Sequence, residues 1–194
     1  MTSRIRHSQS QGDVRTAVIT GASRGLGFAS AVELYRRGWR VLAAMRSAAA
    51  GLELLREATG ARKGDPRLQG IALDLLDPDA VQSAADAILE AGGAPDALVH
   101  NAGVAVAGFV EETPAEEWTR VFTTNLFAPA ALTNALLPSM RAAGRGRIVI
   151  VSSTGAVRGM PLASVTGFPL ASVTTCLGLP LVAVMGLPLA SVTG

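Results

Sequence analysis

The stretch TGASRGLG, residues 20–27, carries the strongest indication of how this chain folds. It follows a short apolar run rich in β-branched residues, which predicts a strand, and it opens a helical pattern that Gly38 ends. Gly21 permits the tight turn, Gly25 lets the backbone approach a pyrophosphate, and Gly27 lets the helix pack closely on the strand. The helix N-terminus offers free N–H groups and a partial positive charge to phosphates. The stretch therefore predicts a dinucleotide-binding turn.

Strands and helices alternate outward from this turn. Alternation implies a parallel sheet with crossover helices, and nearly continuous apolar strands are typical of a sheet covered on both faces. We therefore predict an α/β fold with a doubly wound, Rossmann-like parallel sheet that is truncated after strand 5. The predicted strands are Thr16–Thr20, Arg40–Ala44, Leu68–Leu73, Ala97–His100 and Arg147–Val151. The predicted helices are Gly25–Arg37, Leu52–Ala58, Ala80–Ala91 with Pro78 at its N-terminus, and a long Pro114–Ala143, kinked near Pro129.

Further motifs follow the glycine-rich turn in a fixed order. Asp74-Leu75 follows the third strand, and the fourth strand runs into the sequence HNAG at residues 100–103. Asn125 stands on the long helix, and the fifth strand ends at Ser153. With the spacing TGxxxGxG, this series resembles the short-chain dehydrogenase/reductase family over about residues 14–160, with His100 at the first Asn of the family's NNAG motif.

The resemblance implies hydride transfer between NADP(H) and a small-molecule carbonyl or alcohol substrate. It implies that Ser153 binds the carbonyl oxygen and that Asn125 supports a proton-relay water. The cofactor-binding residues that it implies are Thr20, Gly21, Ser23, Arg24, Gly25, Leu26, Gly27, Arg46, Asp74, Leu75, Asn101, Ala102 and Gly103.

The choice of NADP(H) over NAD(H) follows from charge. NAD-preferring sites place an acid after the second strand, where it binds the ribose 2′-hydroxyl and would repel a 2′-phosphate. This chain has no acid from Arg36 through Leu52, but it has Arg46 after that strand and Arg24 in the turn. Two guanidinium groups suit a bidentate clamp on a phosphate. The alternative is that both arginines are solvated surface residues.

The sequence departs from the family where its catalytic Tyr and Lys are expected. Counting from Ser153, those positions hold Thr166 and Leu170, which supply neither an acid nor a charge. The only tyrosine and the only lysine of the chain are Tyr35, on the first helix, and Lys63, in a loop. Two functions therefore stay open: an oxidoreductase of doubtful activity, or a non-catalytic NADP-binding fragment with an aberrant tail.

The ends of the chain differ in character from its middle. Residues 1–13 are polar and lack the apolar segment of a signal peptide, which predicts a flexible arm and a cytoplasmic protein, with a transit peptide as the alternative. Residues 161–194 are uncharged and repeat PLASVTG, which predicts a low-complexity tail outside the sheet. A membrane-tethering tail is the alternative, although its prolines oppose a long helix. The family's oligomer interface would be incomplete.

Composition excludes several classes of function. The net charge of +2 is too small to indicate a nucleic-acid partner. Cys176 is the single cysteine, so an internal disulfide and a cysteine-based zinc site are excluded, and we predict no metal site.

Overall fold

The computed structural model describes residues 14–106, 109–153 and 182–186. Its strands form one parallel sheet in the order β3-β2-β1-β4-β5-β6. The order reverses between β1 and β4, which is where open α/β sheets bind ligands at their carboxyl edge. The strands are β1 (Thr16–Thr20), β2 (Arg40–Met45), β3 (Leu68–Ala72), β4 (Ala97–His100), β5 (Arg147–Ser153) and β6 (Val182–Gly186).

Helices cover both faces of this sheet, as the predicted doubly wound class requires. Successive residues of a strand point to opposite faces, so Ile19 packs into one hydrophobic cluster and Val18 into the other. The first cluster includes residues of α1 and α2, and the second includes residues of α3 and α5. The helices are α1 (Gly25–Arg36), α2 (Ala48–Thr59), α3 (Pro78–Gly92), α4 (Ala115–Phe122) and α5 (Ala128–Ala142), with a 3₁₀ turn at Val110–Glu112.

The single long helix predicted over Pro114–Ala143 is wrong in one respect. A π-helical turn, Thr123–Phe127, separates α4 from α5, and the N–H of Ala128 donates to the carbonyl of Thr123. Pro129 has no N–H to donate to the carbonyl four residues earlier, which belongs to Asn125, so the α-helical ladder is interrupted. The chain makes one wider turn there, as π-bulges commonly do near functional sites.

The sequence predicts that the sheet ends at the fifth strand, but a sixth strand extends it. β6 pairs parallel with β5, from Val182 opposite Val149 to Gly186 opposite Ser153. Its residues belong to the tail predicted over residues 161–194, so the expectation that the tail stays outside the sheet is corrected for this segment. The physical reason is that an apolar strand satisfies the N–H and C=O groups along the β5 edge.

The remaining residues of the predicted tail and the arm, residues 1–13, lie outside the described part of the chain. Among the described helices, none is both long enough and apolar enough to cross a membrane.

Candidate dinucleotide site

A cavity of about 700 Å³ opens at the carboxyl edge of the sheet. The segments after β1, β2, β3 and β4 and residues from α4 and the π-turn form its walls. The fold therefore brings together residues that are widely separated in sequence. The predicted residues that line the cavity are Gly21, Ser23, Arg24, Gly25, Arg46, Asp74, Leu75, Asn101, Ala102 and Gly103.

The glycines of the turn stand where larger residues would collide. Gly21 has a φ of +69°, and a Cβ there would lie 2.8 Å from the Cα of Ala102. A Cβ on Gly27 would collide with the Asn101 amide and the carbonyl of Gly21. Gly25 also has a positive φ, of +58°, but faces open space on the side of the missing Cβ. Gly21 and Gly27 therefore permit close packing, while Gly25 leaves room at the cavity wall.

The N-terminus of α1 is left uncapped beside the cavity. Arg24 occupies the N-cap position, its side chain makes no capping hydrogen bond to the first turn, and that turn holds no acid. The first N–H groups of a helix need an outside partner, and an anion is a favourable one. Arg24 and Arg46 line the same cavity, while the Asp74 carboxylate accepts a hydrogen bond from the Leu76 N–H at 3.0 Å. The N–H groups of the first turn and the two guanidinium groups form a set of donors that fits a dinucleotide phosphate.

A buried hydroxyl ties the glycine-rich turn to the loop after β4. Thr20 is 1% exposed, and its Oγ1 accepts hydrogen bonds from the N–H groups of Asn101 and Ala102, each at 3.1 Å. Asn101 Nδ2 donates to the carbonyls of Thr20 and Gly21, at 3.0 and 3.2 Å. Thr20 and Gly27 thus contact residues of the cavity wall and do not line the cavity themselves. Leu26 also does not line the cavity, and its side chain is half-exposed.

Asn125 is committed to the backbone of the neighbouring loop. It lies buried in the π-turn, where its Oδ1 accepts from the N–H of Val104 at 2.9 Å and its Nδ2 donates to the Val104 carbonyl at 2.8 Å. This pair of bonds fixes the loop that carries Gly103. Ser153 ends β5 and pairs with Gly186 through the backbone. Its side chain, and the positions of Thr166 and Leu170, lie outside what the structure describes.

His100 does not face the cavity. Its ring is buried, and Nε2 lies 2.8 Å from the Thr133 hydroxyl on α5. Within the described residues, Nδ1 has no hydrogen-bond partner. Burial lowers the pKa of His100 to about 4, so the ring is neutral at physiological pH.

Tyr35 and Lys63 are placed away from the cavity. Tyr35 lies ten residues along the chain from Gly25, a rise of about 15 Å in a helix. Its hydroxyl donates to Asp65 at 2.6 Å, and this hydrogen bond raises the pKa of Tyr35 and lowers that of Asp65. Lys63 lies between α2 and the amino end of β3, at the opposite edge of the sheet. Neither residue lines the cavity.

Residues that sequence reasoning missed also line the cavity. Ala44, Met45, Leu73, Leu76 and Val104 extend walls that the motifs had already located. Arg120 and Thr124 form a wall of their own, four residues apart on α4 and the π-turn. The signal that the sequence offers for this wall is that Thr124 directly precedes Asn125 and Arg120 lies one helical turn before Thr124. Within the described ranges, no group of three or more His, Cys, Asp or Glu residues is placed to hold a metal ion.

Comparisons with known proteins agree with this geometry. Residues 15–167 match the family model for short chain dehydrogenases. Dehydrogenase/reductase SDR family member 7B of Bos taurus is 38% identical over 158 residues, which cover 78% of this chain and 48% of the relative. The chain spans about half the length of the curated relatives it matches.

Solved structures share the fold. A short-chain dehydrogenase from Streptomyces avermitilis superposes with a TM-score of 0.76 and 32% identity, covering 84% of this chain and 58% of that one. A metagenomic short-chain oxidoreductase in complex with NADP gives a TM-score of 0.75 and 33% identity, covering 82% and 72% of the two chains.

Proposed function

Because the chain belongs to the short-chain dehydrogenase family, we propose that its cavity binds NADP(H) in the service of an oxidoreductase reaction on a small carbonyl or alcohol substrate. We thus propose NADP(H) as the preferred cofactor, a carbonyl or alcohol as the substrate class and the cytoplasm as the location. The metagenomic relative that was solved with NADP supports the choice of cofactor by analogy.

The observation that carries the proposal is the charge of the cavity wall. Arg24 and Arg46 both line the cavity, and Arg46 stands directly after β2, where an NAD-selective site would hold an acid. A 2′-phosphate placed between two guanidinium groups would receive charge-assisted hydrogen bonds, each worth about 1.5–3 kcal/mol. One such bond corresponds to about a 10- to 150-fold change in affinity.

We propose a position in the cavity for each part of the cofactor. The uncapped N-terminus of α1 and the open side of Gly25 would hold the pyrophosphate. The loops that begin at Asp74 and Asn101 would hold the adenosine. When bound, NADP(H) supplies or accepts the hydride of the reaction.

The chain's own residues account for only part of the chemistry. Ser153 would donate a hydrogen bond to the substrate oxygen, and Asn125 keeps the loop beside the cofactor in place through Val104. Proton transfer to that oxygen needs an acid of suitable pKa, and threonine at 166 is too weak an acid to supply one. A second candidate function follows from this observation: a non-catalytic NADP-binding fragment. The two candidates share the binding step and differ in turnover.

Fluorescence titration with NADPH and NADH tests the binding step. We expect the parent protein to bind NADPH more tightly than NADH. Arg46→Ala should lower the affinity for NADPH at least tenfold and change the affinity for NADH little. Arg37→Ala is the matched control, because Arg37 is an exposed arginine directly after α1 that pairs with Glu33 outside the cavity. Equal affinities of the parent protein for NADPH and NADH would contradict the proposed preference.

A further inference from the structure

Arg120 is a third arginine of the cavity, in addition to Arg24 and Arg46. It reaches the wall from α4, with Thr124 one turn further along. Its Nε and Nη2 both donate to Oε2 of Glu117, at 2.9 and 2.6 Å. In the part of the chain that the structure describes, its Nη1 makes no hydrogen bond. The guanidinium is therefore held in one orientation, with part of its edge and its faces uncommitted.

The position of Arg120 differs from that of the other two arginines. Arg24 directly precedes α1, which packs on one face of the sheet, and Arg46 precedes α2 on the same face. Arg120 belongs to the helix that continues into α5, which packs on the opposite face with α3. The loop Leu73–Leu76 also lines the cavity and leads into α3. Arg120 thus lies on the side of the cavity that the adenosine loops form.

We propose that Arg120 is a cofactor-binding residue that stacks its guanidinium plane on the adenine ring, and that Glu117 is a positioning residue that holds that plane. The inference rests on the proposed function, because it requires a dinucleotide in the cavity. It adds a base-binding contact to the phosphate-binding arginines.

Charge and geometry favour a base over a phosphate as the partner of Arg120. The Glu117 carboxylate offsets the positive charge and takes two of the three guanidinium nitrogens. A phosphate prefers a free bidentate edge, which Arg120 no longer has in full. A flat, weakly hydrated guanidinium stacks well on an aromatic face, and such a contact uses no hydrogen bond. Leu75, Leu76 and Val104 line the same cavity and add apolar surface suited to a base.

A contact to adenine has a signature that separates it from a contact to the 2′-phosphate. NADPH and NADH carry the same adenine, so loss of stacking weakens both by the same factor. Loss of a 2′-phosphate contact weakens NADPH alone. Nicotinamide mononucleotide has no adenine, so its binding reports on neither contact.

The test compares Arg120→Ala, Arg120→Lys and Glu117→Gln in the full chain, titrated with NADPH, NADH and 2′,5′-ADP. We expect Arg120→Ala to weaken all three ligands by a common factor of about 2- to 30-fold. Arg120→Lys keeps the positive charge but lacks the planar guanidinium group, so we expect it to weaken binding nearly as much as Arg120→Ala does. Glu117→Gln is expected to give a smaller common loss. Arg37→Ala, which breaks a comparable exposed ion pair at the C-terminal end of α1, is the matched control and should leave the affinity for all three ligands unchanged.

Several results would overturn the inference. Full affinity in Arg120→Lys, or a loss in Arg120→Ala confined to NADPH and 2′,5′-ADP, would make Arg120 a phosphate contact. Unchanged affinity in Arg120→Ala would remove it from the site. If Arg120→Ala fails to fold by circular dichroism, the lysine and Glu117→Gln variants decide the question. If the parent protein binds none of the ligands, the proposed function fails as well, and that result is distinct from a failure of Arg120 alone.

Discussion

Mild acid is expected to destabilise this protein through one residue, His100. In the folded chain burial lowers the pKa of His100 from the ordinary 6.5 to about 4, because a charged ring would lose its hydration. In the unfolded chain the ring titrates near its ordinary value. The unfolded state therefore binds the extra proton between these two pKa values, so stability is full above pH 6.5 and falls as the pH drops toward 4.

The size of the effect follows from the two pKa values. At about 1.4 kcal/mol per pKa unit, the difference between 6.5 and about 4 amounts to about 3 kcal/mol in full. At pH 5 the loss should be about 2 kcal/mol. Asp65 interferes little at that pH, because its pKa is lowered from 3.8 and its contribution is lost only in stronger acid.

Urea unfolding at pH 7.5 and pH 5, followed by circular dichroism, measures this loss. His100→Asn removes the titrating ring, so the variant should lose about 2 kcal/mol less than the parent protein over that interval. His7→Asn replaces the other histidine of the chain and serves as the control for composition. An equal loss in the parent and in His100→Asn would show that His100 is not the residue responsible, whatever the variant's stability at neutral pH.

Three further outcomes are expected. Turnover of NADPH with reactive ketones and quinones should stay far below about 10 per second, a typical enzyme rate, and a rate near that value would demand an acid that replaces the missing tyrosine. Gly27→Ala should cost about 1–3 kcal/mol in urea unfolding and weaken NADPH binding, because the new Cβ meets the Asn101 amide and the Gly21 carbonyl; parent-like stability would contradict that packing. Asn125→Ala should cost about 1–3 kcal/mol by leaving the Val104 N–H and carbonyl without their partner, and unchanged hydrogen exchange at Val104 would count against this role.

The sequence predicted the elements whose signals are local. The β1 strand, the glycine-rich turn and the start of α1 at Gly25 follow from β-branched composition and from the backbone needs of glycine. Pro78 marked the start of α3, where Asp77 caps the first turn. The cavity residues of the motifs could be grouped because the carboxyl ends of parallel strands share one edge.

Features that depend on distant partners could not be predicted in this way. The face of α4 that carries Arg120 depends on the π-turn, and one extra residue in a turn changes the direction of every side chain before it by about 100° relative to a regular α-helix. The contact of His100 with Thr133 joins residues from a strand and a helix that no local pattern relates. The pairing of β6 required knowledge of which apolar segment meets the β5 edge.

The hydrogen bonds around Thr20 have a kinetic consequence. One hydroxyl and one amide lock the two loops that border the cavity to each other, so a nucleotide finds them already in place. Ordering of these loops then adds little to the cost of binding. The association rate constant should be nearly the same for all adenine dinucleotides. Their differences in affinity should come from different dissociation rate constants.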